Sequence, residues 1–370
     1  MNFIPLMLPS ISEGDIEAVA EVLRSGMLVQ GANVASLELE IAAYLKTKNA
    51  VAVSNGTATL HLAMVALGIG PGDEVIVPAF SYVATANVVE IVGAKCVFVD
   101  VEPDTFNIDV SQIEQAITPR TKAIIPVHEF GLSCDISGLF KIAERNNLYV
   151  IEDAACALGA MENNKLVGTF GLIGSFSLHP RKAVTSGEGG ILITNDDTLA
   201  EKFRVLRNHG ISTTTGKMDF VAAGFNYRLT DFQAALVRGQ FARIEENIKY
   251  RNELAETYFN ELKTTKNIEL PVIPEGKRHT WQTFHGVVSE NTHRDSLIEK
   301  LKTHGVGANY GAQCIPLQTY YQEKYKLNCK NLFPNALRAF QKGLALPMFD
   351  RLKIEEVRFV SRTLDDLLKN

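Results

Sequence analysis

Between Ala50 and Asp153 the chain alternates short apolar runs with amphipathic stretches, and few folds can absorb that pattern. The runs Ala50–Ser54, Glu74–Ala79, Lys95–Asp100, Lys122–Val127 and Tyr149–Asp153 read as strands. Between them lie a helix carrying Leu60, Met64 and Leu67, a second over Ala84–Val92, a short third over Val110–Ile117 and a fourth near Ser137–Asn147. A strand that returns through a helix enters the sheet parallel to its predecessor. The result is an α/β fold, a mostly parallel central sheet flanked by helices. Ligands of such sheets sit outside the carboxyl ends of the strands. Four marked spots fall there: Ser54–Thr57, Ala79–Tyr82, Val127–His128 and Asp153.

The flanking segments extend this frame. Ser10 and Glu13 have capping-box spacing ahead of Ile16, Val19, Ala20 and Leu23, a helix stopped near Gly26. A second helix puts Val34, Leu37, Ile41, Tyr44 and Leu45 on one face. Met161–Gly168 reads as a hairpin with an Asn-Asn turn, Gly190–Asn195 as a strand, Leu199–Asn208 as an amphipathic helix and Gly210–Gly224 as a loop. Thr230 and Gln233 form another capping box, opening one long helix to about Leu262. At 370 residues and 46% hydrophobic, the chain can bury a large core and a second, smaller one. We place the boundary within the long helix, giving a large domain over 1–245 and a smaller C-terminal α/β domain over 246–370. The latter contains strand-like Val287-Val-Ser and Gly343–Pro347, and a closing helix over Ile354–Leu368.

The stretch most laden with chemistry is Gly174–Gly190, with one lysine, Lys182, at its centre. Ser175 and Ser177 precede it; hydroxyl residues and Gly187-Glu-Gly-Gly190 follow, where the backbone can approach other groups closely. An isolated lysine is most often a solvated surface residue. Desolvation or neighbouring charge turns a lysine into a nucleophile, and pyridoxal phosphate (PLP) enzymes hold their cofactor on such a lysine as a Schiff base. Asp153 ends an apolar strand before the small residues Ala154-Ala-Cys-Ala157, so its carboxylate needs a partner. A helix N-terminus or an arginine would serve; so would the protonated pyridine nitrogen of PLP. Ser54–Thr57, a strand running through a glycine turn into a helix, is either an ordinary connection or a phosphate site on free backbone N–H groups.

Composition excludes other classes. A net charge of −5 with no basic block argues against nucleic-acid binding. Cys96, Cys134, Cys156, Cys314 and Cys329 are scattered without CxxC spacing and read as reduced thiols, neither disulfides nor a metal site. Met1–Ser10 lacks a basic leader, and no apolar run is long enough to cross a bilayer, so we expect a cytoplasmic enzyme without a membrane partner. No GxGxxG follows the first strand, which argues against a nicotinamide oxidoreductase.

Six stretches in order resemble the DegT-type nucleotide-sugar aminotransferases, within the fold type I PLP-dependent transferases. They are Ser54-Asn-Gly-Thr57, Gly72–Pro78, Ile151–Ala155, Ser175–Lys182, Gly187–Gly190 and Gly224–Leu229. The resemblance implies Lys182 as Schiff-base lysine and proton shuttle, and Asp153 on the pyridine nitrogen. It implies the Thr57 and Ala58 amides and the Ser177 hydroxyl on the phosphate, Tyr82 stacked on the ring, and Asn226 reaching the phosphate from the partner of a homodimer. His179 and Arg228 are implied near substrate, with a structural ion pair equally open for Arg228. Many members carry Gln after Glu-Asp-Ala-Ala, bonding the PLP 3-hydroxyl; here it is Cys156, a weaker hydrogen-bond partner. Relatives with His at the lysine position are sugar dehydratases, which Lys182 argues against, and a PLP-binding regulator without turnover is the other alternative. The implied reaction moves an amino group from L-glutamate to a nucleotide-linked keto-sugar, through pyridoxamine phosphate. Ile4-Pro-Leu and Arg24–Gly31 resemble members acting at carbon 4 of a 4-keto-6-deoxyhexose, with a 3-keto sugar as the alternative.

Overall fold

A computed structural model describes residues 3–212, 214 and 216–369. Met1, Asn2, Thr213, Thr215 and Asn370 lie outside the described residues, and with them parts of the N-terminal stretch and of the Gly210–Gly224 loop read above. Seven strands form the central sheet: β1 (Asn49–Val53), β2 (Glu74–Pro78), β3 (Lys95–Val99), β4 (Thr121–Ile124), β5 (Tyr149–Asp153), β6 (Ile173–Ser177) and β7 (Gly190–Thr194). Their order is β1-β7-β6-β5-β4-β2-β3. Only β7 runs antiparallel to its neighbours; β6, β5, β4, β2 and β3 pair in parallel. The expected α/β fold, a mostly parallel sheet flanked by helices, is the one observed.

The period of two along each strand sorts side chains between two cores. Val51, Val53, Val75 and Val77 face one core, with helices α3 (Gly56–Ala66), α4 (Ala84–Ile91) and α6 (Asp197–Arg207). Ala50 and Ala52 face the opposite side with α2 (Ala32–Leu45) and α7 (Asp231–Phe241); Ile76 and Ile124 face it with α5 (Ile136–Arg145). A third core gathers around the antiparallel strands β8 (Ile268–Glu269), β9 (Phe284–Val288) and β10 (Gly343–Leu346). Helices α8 (Ile244–Leu262), α9 (Arg294–Thr303) and α11 (Ile354–Lys369) enclose it. Ile4 joins this third core by pairing with Val306, while Ile315, Tyr321, Phe333 and Ala336, the last from α10 (Pro334–Lys342), return to the first.

Two local readings need correction. The first capping box is Ser12 with Asp15, not Ser10 with Glu13: Ser12 N–H donates to Asp15 Oδ2 at 2.8 Å, and Asp15 N–H to Ser12 Oγ at 3.2 Å. Asp15 also accepts from Arg243 at 2.7 Å, which fixes this register. The Thr230/Gln233 box stands, but the long helix does not. It breaks at Ala242–Arg243, where Arg243 turns its guanidinium back to Asp15 on α1 (Glu13–Ser25). The Asn163-Asn164 turn is as read: both residues adopt positive φ, the conformation a two-residue hairpin loop demands. Gly210–Gly224 contains a short ladder of Ile211–Ser212 with Asp219–Phe220.

Candidate active site

The carboxyl ends of β1, β2, β5 and β6, with the segment after β4, border one cavity of about 700 Å³. Lys182 lies in the loop after β6, and its Nζ donates to Cys156 Sγ at 2.9 Å. Burial works against the lysine's charge, but the Cys156 sulfur and the carboxyl groups of Asp153 and Glu129 outweigh it and hold the ammonium above the ordinary lysine range. Burial likewise pushes the Cys156 thiol up, against the pull of the Lys182 charge.

Asp153 is buried at the end of β5. Its Oδ2 accepts from Thr85 Oγ1 at 2.8 Å and its Oδ1 from the Ala155 N–H at 3.2 Å. Burial nevertheless pushes this carboxyl up, against the pull of those donors and of Lys182. A carboxylate so placed is completed by a fixed cation in the cavity, and the protonated nitrogen of a pyridine ring supplies one.

On the other side, α3 begins on the cavity. Asn55 caps it, Oδ1 accepting from the Ala58 N–H at 2.8 Å. Gly56 and Thr57 fill the first two helical positions, whose amides have no carbonyl ahead of them in the helix and suit an anion. A Cβ on Gly56 would lie 2.8 Å from Ser177 Cβ, so only glycine lets the helix start close against the end of β6. Gly190 has a matching role, since a Cβ there would sit 2.5 Å from the Asn55 carbonyl oxygen. Tyr82 lines the cavity and is 65% exposed, available for stacking. A phosphorylated pyridine aldehyde therefore finds an anion cradle, an aromatic wall, a carboxylate and a lysine in one chamber, and the residues fit PLP.

Of the residues singled out from the sequence, Lys182, Asp153, Thr57, Ala58, Tyr82, Cys156, Ser177 and His179 all line this cavity. The Ala58 amide is already engaged by Asn55, which corrects its expected availability and leaves Gly56 and Thr57 as the open pair. Ser177 Oγ accepts from the His179 N–H at 3.3 Å. Burial and the nearby Lys182 and Arg181 charges lower the His179 pKa. Asn226 and Arg228 do not line the cavity of their own chain. Asn226 is exposed, and Arg228 donates to Asn208 Oδ1 at 2.5 Å, a structural contact. His128, marked at a strand end, is buried between Glu152 (2.9 Å) and the Cys134 N–H (3.2 Å), away from the chamber.

Sequence reasoning missed Thr85, which orients Asp153, and the pair His61–Tyr227, joined at 3.1 Å across the cavity wall. It also missed Glu129. That residue stands in the turn after β4, 4% exposed, with Oε2 free of any hydrogen-bond partner among the described residues. Burial pushes its carboxyl up to about 7, Asp153 adds to the effect, and Lys182 and Ser81 oppose it. The signal is one position away, at the strand-end pair Val127–His128.

Residues 9–365 match the model of the DegT/DnrJ/EryC1/StrS aminotransferase family. The chain is 35% identical to spore coat polysaccharide biosynthesis protein SpsC of Bacillus subtilis, over all of this chain and 98% of that protein. It is 38% identical to UDP-4-amino-4-deoxy-L-arabinose–oxoglutarate aminotransferase of Shewanella sediminis, over 100% and 99% of the two chains. Among solved structures, Streptococcus pneumoniae Spr1654, described as a sugar aminotransferase, superposes in its PLP form with a TM-score of 0.94 at 29% identity, covering 99% of each chain. The aminotransferase from Psychrobacter cryohalolentis gives 0.92 at 30% identity, covering 100% of this chain and 99% of the other. This chain therefore belongs to the DegT/DnrJ/EryC1/StrS aminotransferase family and is a PLP-dependent sugar aminotransferase.

Proposed function

We propose that this enzyme moves an amino group from L-glutamate to a nucleotide-linked keto-sugar, at carbon 4 of a 4-keto-6-deoxyhexose, in amino-sugar and surface-polysaccharide biosynthesis. The observation that carries the reading is the convergence of Lys182, Asp153, Tyr82 and the start of α3 on one chamber. The relative that makes a 4-amino sugar nucleotide, 38% identical along the whole chain, supports carbon 4.

Bound here, PLP supplies a conjugated ring that delocalises the electrons released at a substrate carbon. The chain supplies position and protons. The Gly56 and Thr57 amides and the Ser177 hydroxyl would take the phosphate, and Tyr82 would offer its ring for stacking. The Asp153 carboxylate, oriented by Thr85, would keep the pyridine nitrogen protonated. Lys182, once neutral, takes a proton from the donor's α-carbon and returns one to the sugar carbon in the second half-reaction. Fixing these groups at one spot supplies orientation that free reactants lack. Cys156 stands beside Lys182 where many family members offer Gln.

We further propose a homodimer in the cytoplasm. Met27, Val29 and Leu39 are exposed, as are Met218, Phe220 and Val221 at the hairpin, apolar side chains that a second copy could cover. Exposed Asn226, outside its own cavity, is then free to reach the partner's phosphate site. The division into 1–245 and 246–370 belongs to the same proposal.

The test is absorption spectroscopy followed by product analysis. The PLP-loaded enzyme should lose its visible band with L-glutamate and regain it with a 4-keto-6-deoxy sugar nucleotide, giving the 4-amino product by mass spectrometry. Recovery with 3-keto substrates alone would overturn the carbon-4 assignment. Elution as a monomer in size-exclusion chromatography would overturn the shared site.

A further inference from the structure

We propose that Cys156 is a positioning residue for Lys182: its sulfur is the rest point that keeps the lysine amine inside the chamber whenever that amine is free. The inference rests on Lys182 being the reactive amine of this site.

The contact is direct. Lys182 Nζ donates to Cys156 Sγ at 2.9 Å, and among the described residues Nζ makes no other hydrogen bond. Asp153 and Glu129 act on the lysine through charge, without a hydrogen bond to it. Cys156 is half-buried and lines the chamber, whereas Cys96, Cys134, Cys314 and Cys329 are buried away from it.

The backbone sets both ends of this contact. Cys156 stands in the turn after β5, where the Ala154 N–H donates to the Ser175 carbonyl and the Ala157 N–H to the Ala154 carbonyl, each at 2.9 Å. The Cys156 carbonyl accepts from Thr280 Oγ1 at 3.4 Å. On the lysine side, the Lys182 N–H donates to the His179 carbonyl at 2.9 Å, and the Arg181 carbonyl accepts from Gln282 Nε2 at 2.8 Å. One short segment, Thr280 to Gln282, thus bonds both the turn that carries the thiol and the loop that carries the amine.

The use of such a hold follows from the lysine's own flexibility. Its amine ends a long stem, and a free one spreads over many rotamers. Lys182 acts at a substrate carbon in both half-reactions of the proposed function, so it has to stay within reach while unattached. A carboxylate in contact would keep the amine as ammonium. A thiol sulfur is a weak acceptor, and an N–H donates to it whether or not the amine carries its extra proton. The hold therefore outlasts the loss of that proton and is weak enough to release the amine.

Two measurements on the full chain freed of cofactor test this. o-Phthalaldehyde joins an amine and a thiol that are neighbours into a fluorescent isoindole. Wild type should give that fluorescence, PLP should block it, and Cys156→Ser and Lys182→Ala should each remove it. Lys277 also lies near a thiol, its Nζ donating to the Cys134 carbonyl at 2.9 Å, but the Cys134 side chain is fully buried. No fluorescence in wild type, or undiminished fluorescence in Cys156→Ser, overturns the proposal. The second measurement is the rate at which the visible band appears with PLP, at one pH below the lysine's pKa. The sulfur favours the ammonium, so if it acted through charge alone, Cys156→Ala would hold more neutral amine and gain the band faster. Positioning predicts the opposite sign: Cys156→Ala roughly tenfold slower, with Cys156→Ser, which keeps an acceptor, restoring part of the rate. An equal or faster rate in Cys156→Ala overturns the proposal. A band still formed by Lys182→Ala instead strikes the reading of the site on which the proposal rests.

Discussion

Asp153 and Glu129 reach one cavity from neighbouring parts of the same sheet edge, and both are about 95% buried. Asp153 ends β5, so the sheet sets its position, and two donors fix its carboxylate. Glu129 stands in a turn bent through a left-handed phenylalanine, with one oxygen unpartnered among the described residues. Burial raises both carboxyls, so burial alone does not separate them. Their donors do: the well-bonded acid is suited to face a permanent cation, and the poorly bonded one to take and release a proton.

Removing the lysine that lines the same cavity should have the largest effect. Lys182→Ala should lower turnover on the order of 10⁴-fold or more, read as multiple-turnover kcat. Asp153→Asn should come next, at roughly 10²- to 10³-fold across the whole pH range, because a fixed charge partner is missing in every protonation state. Glu129→Gln should change turnover only where the wild-type carboxyl is ionised, above about 7. Equal, pH-independent losses at both acids would erase the distinction between them. Gly56→Ala tests the opposite wall. Its Cβ meets Ser177 at 2.8 Å, so PLP affinity, measured by spectroscopic titration, should fall while the fold and the Asp153–Thr85 bond persist.

The sequence made one of these two acids readable and hid the other. Asp153 closes a plain apolar strand before four small residues, so its burial and its place at the carboxyl edge follow from local pattern. Lys182 and the start of α3 carry similar marks in serine, glycine and proline. The alternation of strands and helices likewise foretold the parallel sheet, because each element contradicts its neighbours in period. Glu129 has no such mark. Its role depends on Thr280 and Gln282, about 150 residues later, which hold the turn, and on Asp153, which competes for its proton. The shifted capping box and the broken helix share that cause. The ion pair of Arg243 with Asp15 joins positions 228 apart, and no local window contains both.

A third acid shows what cations do to the same side chain, with the smallest expected effect. Glu74 starts β2, and its side chain is 2% exposed, but Arg120 and Lys95 reach it at 2.7 and 3.1 Å and Thr118 donates to it at 2.5 Å. Burial works to raise this carboxyl as it does Glu129, yet here the hydroxyl and the two cations win and hold it near 2. A carboxyl depressed in the folded state stabilises above its unfolded pKa and loses that contribution as pH falls toward the folded value. The window therefore runs from about 4.5 down to about 2. Both cations are more than half exposed, so solvent screening limits the contribution to about 1 kcal/mol. Glu74→Gln should lower the melting temperature at neutral pH by roughly 2 °C. The difference from wild type should shrink as the pH is lowered through that window. A destabilisation of the same size at every pH would mean that Glu74 acts through packing, and that its cations do not set it apart from Glu129.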